Sequence, residues 1–218
     1  MKKVAVILTG SGFQDGAEIT ESVSSLIALA EAKVEATVFA PELSFQATDH
    51  LTGDSSEKDT RQAMAEAARI SRGRVKNLSQ LKADDYDALV LPGGFGVAQH
   101  LCTWAQDGAN CDVLSDAERV IQDFHQQSKP IGAWCIAPAL VAKVLGSHRV
   151  SVTIGEQKEV AQEIEKTGAQ HVNCSVDDFV TDRENKVITT PAYMYDGANA
   201  FEVFTGIRKA TQELVNMA

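Results

Sequence analysis

An α/β fold with a mostly parallel sheet and helices on both faces is predicted by three observations. Short apolar runs of strand length alternate with longer amphipathic stretches, glycine-rich loops follow two of those runs, and one cysteine stands where a third run meets a helix. At 218 residues and 23.4 kDa, the chain is long enough for one well-buried core, so residues 1–218 are expected to form a single domain.

The elements follow in order. Residues 4–8 read as the first strand, residues 19–32 as a helix, and residues 34–39 as the second strand. Residues 52–74, rich in Ala, Glu and Arg, are expected to be helical and inserted before the next strand, residues 87–91. The run 130–134 is apolar or small throughout, as suits a strand buried on both faces, and Leu140, Val141, Val144 and Leu145 then recur at helical spacing. Later strands are expected at 150–154, 179–181 and 187–190, and a last helix across 198–217. No repeat, low-complexity tract or linker marks a second domain.

Acidic residues outnumber basic ones 30 to 20, for a formal charge of −10, and no basic stripe is available to neutralise phosphates, so nucleic acid is not expected as a partner. No apolar run has the length of a membrane span, and the opening MKKVAVILTG lacks a cleavage-type signal. A cytoplasmic setting is expected. The four cysteines, Cys102, Cys111, Cys135 and Cys174, show neither CxxC spacing nor paired histidines, so neither a metal site nor a redox dithiol is expected. Cys102 and Cys111 flank the polar stretch TWAQDGAN and read as ordinary surface or semi-buried thiols; Cys174 follows a strand-like run and reads the same way.

Cys135 differs from these because of its place in KPIGAWCIAP, residues 129–138. At a strand-to-helix joint, small neighbours such as Gly132, Ala133 and Ala137 let the backbone bend sharply. The amides that open the next helix would favour thiolate over thiol. A buried, inert cysteine is the alternative.

The first glycine loop, TGSGFQDGAEI, carries Gly10, Gly12 and Gly16, with Glu42 just past the second strand. A dinucleotide site needs GxGxxG, and here the last spacing is one residue longer while Asp15 puts negative charge inside the loop. No cofactor is therefore expected. Glu18 and Glu21, three residues apart near the carboxyl end of the first strand, suit either proton transfer beside a thiolate or simple compensation of a helix N-terminus. The second loop, LPGGFG at residues 91–96, can supply a backbone amide to an oxyanion or serve as a plain turn.

Taken together, these residues resemble the ThiJ/PfpI superfamily, a branch of the class I glutamine amidotransferase-like folds with a cysteine nucleophile elbow. GSGFQDGAEITE, FAPE, HLTGD, ARISRG, LPGGFG, CIAP and TTPAYM resemble the ElbB group, named for enhanced lycopene biosynthesis and also described as glyoxalases. The resemblance covers nearly the whole chain. It implies a flavodoxin-like three-layer sandwich, often a homodimer, that converts glyoxal and water to glycolate without a cofactor, with a link to isoprenoid biosynthesis. Carried over by position, Cys135 is the nucleophile, the Gly94 and Ile136 amides are the oxyanion donors, and either Glu21 or Glu18 is the acid, with Glu21 favoured. One departure stands out. Relatives with a Cys-His pair carry the histidine at the end of the next strand, where VSVTIG places Gly155. His148, His171 and His50 read as ordinary surface histidines, so slow turnover is expected unless a glutamate substitutes. A redox-sensing or partner-binding role for Cys135 is the second reading, and amide transfer from glutamine ranks last.

Overall fold

The computed structural model describes residues 1–218, the side chains of residues 56 and 57 excepted. The chain runs β1 (Lys3–Ile7), α1 (Ile19–Glu31), β2 (Glu35–Ala40), β3 (Ser44–Thr48), β4 (Ser55–Gln62), α2 (Ala63–Ile70), β5 (Val75–Asn77) and β6 (Ala88–Leu91). It continues through α3 (Trp104–Asp107), α4 (Ser115–Gln126), β7 (Ile131–Trp134), α5 (Ala137–Leu145), β8 (Ser151–Val152) and α6 (Lys158–Lys166). β9 (Gln170–His171), β10 (Val180–Asp182), β11 (Val187–Thr190) and α7 (Ala200–Met217) complete it.

Seven strands form the central sheet in the order β10-β11-β7-β6-β1-β2-β5. Every neighbouring pair is parallel except β10 with β11. The apolar runs are continuous because both faces are covered. In β1, Ala5 and Ile7 join one core, while Val4 and Val6 join the other. β6 divides in the same way, Leu89 and Leu91 against Ala88 and Val90, as a side-chain period of two requires. One face packs on α4 and α5 through Val120, Ile121, Phe124, Leu140 and Val141. The other packs on α1 and α7 through Leu29, Val203, Ile207 and Leu214. This is the expected three-layer, flavodoxin-like α/β sandwich.

From β1 the chain winds outward to β2 and β5, then returns to the opposite side of β1 as β6. The carboxyl ends of β1 and β6 therefore border the crevice where open α/β sheets bind ligands. Both glycine loops, residues 10–16 and 91–96, leave the sheet there.

Three expectations need correction. Residues 52–74 are helical only over Ala63–Ile70; Ser55–Gln62 instead pairs with Ser44–Thr48 as an antiparallel hairpin. β3 buries Phe45 and Ala47 on alternate positions, and that period-two burial outweighs the helix propensity of the partner segment. The run 150–154 contributes only a two-residue strand, paired with β9 outside the main sheet. Cys102 and Cys111 are buried, because residues 101–114 fold back on themselves through a bridge between Cys102 and Val113.

Candidate active site

β7 ends at Trp134, and α5 begins at Ala137 with Pro138 in its first turn. Between them Cys135 takes φ +57°, a left-handed conformation costly for a residue with a side chain. Its amide donates to the Thr190 carbonyl of β11 at 3.0 Å, which fixes the turn to the neighbouring strand. Cys135 packs against Gly93, where a methyl group would lie 2.5 Å from the Cys135 Cβ and 2.9 Å from Glu21 Oε2. Only a glycine fits between this cysteine and Glu21.

Glu21 reaches the same point from α1. Its side chain is fully buried; Oε2 accepts from the Gly93 amide at 2.8 Å, Oε1 from the Tyr193 amide at 3.4 Å, and the carboxyl group also meets the Cys135 thiol. Burial, and then the nearby charge of Glu18, raise this carboxyl from an ordinary 4.5 to about 8. Ser25 ties helix to strand: its hydroxyl donates to the Glu21 carbonyl at 2.8 Å and accepts from Trp134 Nε1 at 2.9 Å. Glu18 does different work. It is the N-cap of α1, accepting from the Glu21 amide at 2.6 Å, and its carboxyl is raised by partial burial.

The sulfur faces the amides of Gly94 and Ile136, the two donors expected from the sequence. Those amides favour the thiolate, but burial and then the Glu21 charge act more strongly, and the Cys135 pKa lies well above its ordinary 9.0. The thiolate expected from the helix start alone is thus outweighed. An amide pair that cannot keep the resting thiol ionised can still receive charge that develops on an oxygen bound there.

The two glycine loops interlock. A methyl group on Gly94, which has φ +96°, would lie 2.3 Å from the Gly16 carbonyl oxygen. Gly96 donates to Gly16 at 2.9 Å, and Phe95 to Phe13 at 2.7 Å. Within the first loop, the Gly12 amide donates to Ala17 and the Gly16 amide to Gly12. Asp15, buried, accepts from the Thr48 amide of the hairpin, and Glu42 accepts from the Asn77 side chain. The contacts between the two loops, and that of Asp15 with the hairpin, brace the loop that carries Gly94.

At Gly155 the backbone has φ +78°, and a Cβ would lie 2.7 Å from Tyr195 Cε2. The ring of Tyr195 occupies the space a histidine would need. His171 Nε2 accepts from Ile154, His148 packs at a tilt against His125, and His50 bonds the Thr48 carbonyl through Nδ1. His100 bonds the Asp15 carbonyl. Among the described residues, no three His, Cys, Asp or Glu side chains gather as metal ligands. The sequence did not single out the amides that hold Glu21. Gly93 was visible only as part of a glycine pair, and Tyr193 only as part of TTPAYM, where Ala192 takes φ +46° and aims the next amide at the carboxyl group.

A sequence model of the DJ-1/PfpI family matches residues 2–201. The "ES1 protein homolog, mitochondrial" of Rattus norvegicus is 43% identical over 202 residues, covering 88% of this chain and 75% of that one. The "Glutamine amidotransferase-like class 1 domain-containing protein 3, mitochondrial" of Homo sapiens is 42% identical over 206 residues, covering 90% and 76%. Among solved structures, an isoprenoid biosynthesis protein with an amidotransferase-like domain from Ehrlichia chaffeensis superposes with a TM-score of 0.93 at 35% identity, over 100% of this chain and 99% of that one. No helix among the described residues is long and apolar enough to cross a membrane.

Proposed function

The chain belongs to the DJ-1/PfpI family, and from that premise we propose that it is a slow, cofactor-independent glyoxalase of the ElbB group, a lyase converting glyoxal and water to glycolate. The observation that carries this reading is the contact between the Cys135 thiol and the buried Glu21 carboxyl, beside the Gly94 and Ile136 amides. We take residues 1–218 as one catalytic domain.

The steps balance on these groups. The Cys135 sulfur adds to one aldehyde carbon of glyoxal as its proton passes to the Glu21 carboxylate. The new alkoxide sits against the Gly94 and Ile136 amides and takes the proton back, giving a hemithioacetal. Glu21 then removes the hydrogen from that carbon and returns a proton to the neighbouring carbon, while the hydroxyl proton of the hemithioacetal passes to the neighbouring oxygen, leaving a thioester of glycolate. Water hydrolyses the thioester and restores the thiol. Glu21 is assigned the proton transfers because it meets the sulfur, whereas Glu18 caps the helix.

Turnover is slow on this reading because Glu21 is mostly protonated at neutral pH and no histidine assists. The raised Cys135 thiol argues against the redox-sensing alternative, since rapid oxidation needs a thiolate. The Ehrlichia relative supports a role adjoining isoprenoid biosynthesis. Free thiols suit a reducing compartment such as the cytoplasm, although two relatives are named as mitochondrial. A homodimer is supported by α1, which exposes Ile19, Val23 and Ile27 at four-residue spacing.

Glycolate formation from glyoxal by the wild type and by Cys135→Ser tests the reading. We expect loss of at least about a hundredfold in the variant. Full retention by Cys135→Ser, or no glycolate from the wild type, overturns it.

A further inference from the structure

The outer edge of the sheet is left unfinished at one point. β2 runs over six residues, but β5 pairs only with its last three, Val38, Phe39 and Ala40. The Glu35 amide donates to the Lys2 carbonyl at 3.0 Å, and the Phe39 carbonyl accepts from Leu8 at 2.8 Å. Odd positions of β2 therefore bond towards β1 and even positions towards β5. Ala36 aims its amide and carbonyl at the open edge. The chain leading into β5 turns aside before it can meet them: Arg72 and Gly73 take φ +55° and +81°, the Gly73 amide returns to the Ala68 carbonyl, and the Arg74 amide returns to the Ser71 carbonyl at 3.1 Å. Ala36 is exposed, and among the described residues neither of its backbone groups has a main-chain partner.

The gap is a groove of about 640 Å³, floored by Leu26, Val38, Ile70 and Val75 and flanked by Arg72 and Arg74. Both arginines are exposed, and among the described residues neither guanidinium has an ion pair or a hydrogen bond, whereas the nearby Arg69 pairs with Glu66 at 3.0 Å. Lys76, over the Phe39 ring at 5.9 Å, adds a third positive charge, against the single carboxylate of Glu35. In a chain of net charge −10, this is a local reversal of sign beside an open strand edge.

We propose that this edge takes an acidic segment of a partner protein as an added strand. The segment lies extended beside residues 35–37. One of its carbonyls accepts from the Ala36 amide, and one of its amides donates to the Ala36 carbonyl. Its alternate side chains divide between the apolar floor and the two guanidinium groups, whose planar forks suit carboxylates. The Ala36 carbonyl calls for an N–H donor, which a polypeptide has and a phosphodiester backbone lacks. Ala36 lies near the amino end of β2, whereas Cys135 follows the carboxyl end of β7, so the inference stands apart from the glyoxalase reading.

The test titrates the full chain into three short fluorescein-labelled peptides, of alternating Glu and Val, alternating Lys and Val, and alternating Glu and Pro, followed by fluorescence anisotropy. The Glu-Val peptide should bind saturably and the other two several-fold more weakly, the second for its charge and the third for its missing amides. The double variant Arg72→Ala, Arg74→Ala should weaken the Glu-Val peptide about threefold or more, as should added salt. Hydrogen exchange at the Ala36 amide should slow when that peptide is bound. No saturable binding, or equal binding by the double variant, overturns the proposal. Equal binding of the Glu-Pro peptide means that charge alone acts and overturns the added strand. A dimer in sedimentation that the double variant abolishes puts a second copy in the groove and overturns the partner segment. None of these measurements uses glyoxal, so either proposal can fail while the other stands.

Discussion

The corner built around Cys135 and the corner at Gly155 have opposite contents. At the first, a left-handed cysteine, two backbone amides and a buried carboxyl converge on one sulfur. At the second, a left-handed glycine donates its amide to Thr153 at 3.0 Å and lies under the ring of Tyr195. The first holds polar groups in a strained, water-poor arrangement of the kind expected where chemistry occurs. The second is filled by an aromatic ring and has no room for a base. On the proposed mechanism, proton handling is concentrated on α1, and the Tyr195 ring takes the space a histidine at position 155 would need.

The largest test of this contrast separates the two glutamates. Glu21→Gln keeps the shape of the side chain but removes the group that takes the thiol proton in the proposed mechanism. It should lower kcat for glyoxal by about 10² to 10⁴, the usual scale for a lost acid–base group. Glu18→Gln should cost less than about tenfold, because it weakens a helix cap worth about 1 kcal/mol without touching the sulfur. Equal losses in the two variants would mean that the buried carboxyl has no special part. A melting curve for each separates rate loss from unfolding.

The Gly155 corner can be challenged by putting the histidine back. Gly155→His meets two obstacles, the φ of +78° and the Tyr195 ring 2.7 Å from the new Cβ. Together these should destabilise the fold by about 1 to 3 kcal/mol, with no gain in rate. Combining it with Tyr195→Ala should recover part of the stability by removing the clash, though Tyr195→Ala alone also loses the hydroxyl bond to the Cys174 carbonyl. A faster single variant would show that the ring yields easily and that the corner remains open to a base.

Much of this contrast was legible in the sequence, and the remainder was hidden for identifiable reasons. The apolar runs of β1, β6 and β7 gave the parallel sheet because burial on both faces leaves an unbroken pattern, and the small residues around Cys135 gave the elbow. The absent histidine could be read from Gly155, but the ring that replaces it could not, because Tyr195 comes forty residues later on another segment. Glu21 and Glu18 were inseparable by spacing alone. Their separation depends on where α1 begins: with Glu18 as the N-cap, its side chain turns back onto the helix amides, and Glu21 in the first turn faces the sulfur. The hairpin of β3 and β4 was missed because Ala, Glu and Arg favour a helix locally, while Phe45 and Ala47 are buried through tertiary contacts.

The pH dependence sets activity against stability at one residue. In the proposed mechanism Glu21 accepts the thiol proton only as a carboxylate, and its folded pKa is about 8. Below that pH, kcat/KM should fall about tenfold per unit. Stability runs the other way. A carboxyl raised from 4.5 to about 8 on folding binds its proton more tightly in the native state. Its contribution is complete below the unfolded pKa and is lost as pH rises through the folded one. Wild-type melting temperature should therefore decline from pH 5 to pH 9 relative to Glu21→Gln, which has no proton to lose. Glu18→Gln removes the charge that helps hold Glu21 up, so the acid limb of the rate profile should move to lower pH and the decline in stability should lessen. Rate profiles and melting curves from pH 5 to pH 9 measure both. If the limb of the wild type persists unchanged in Glu21→Gln, another group titrates, and the proton is not handled at this corner.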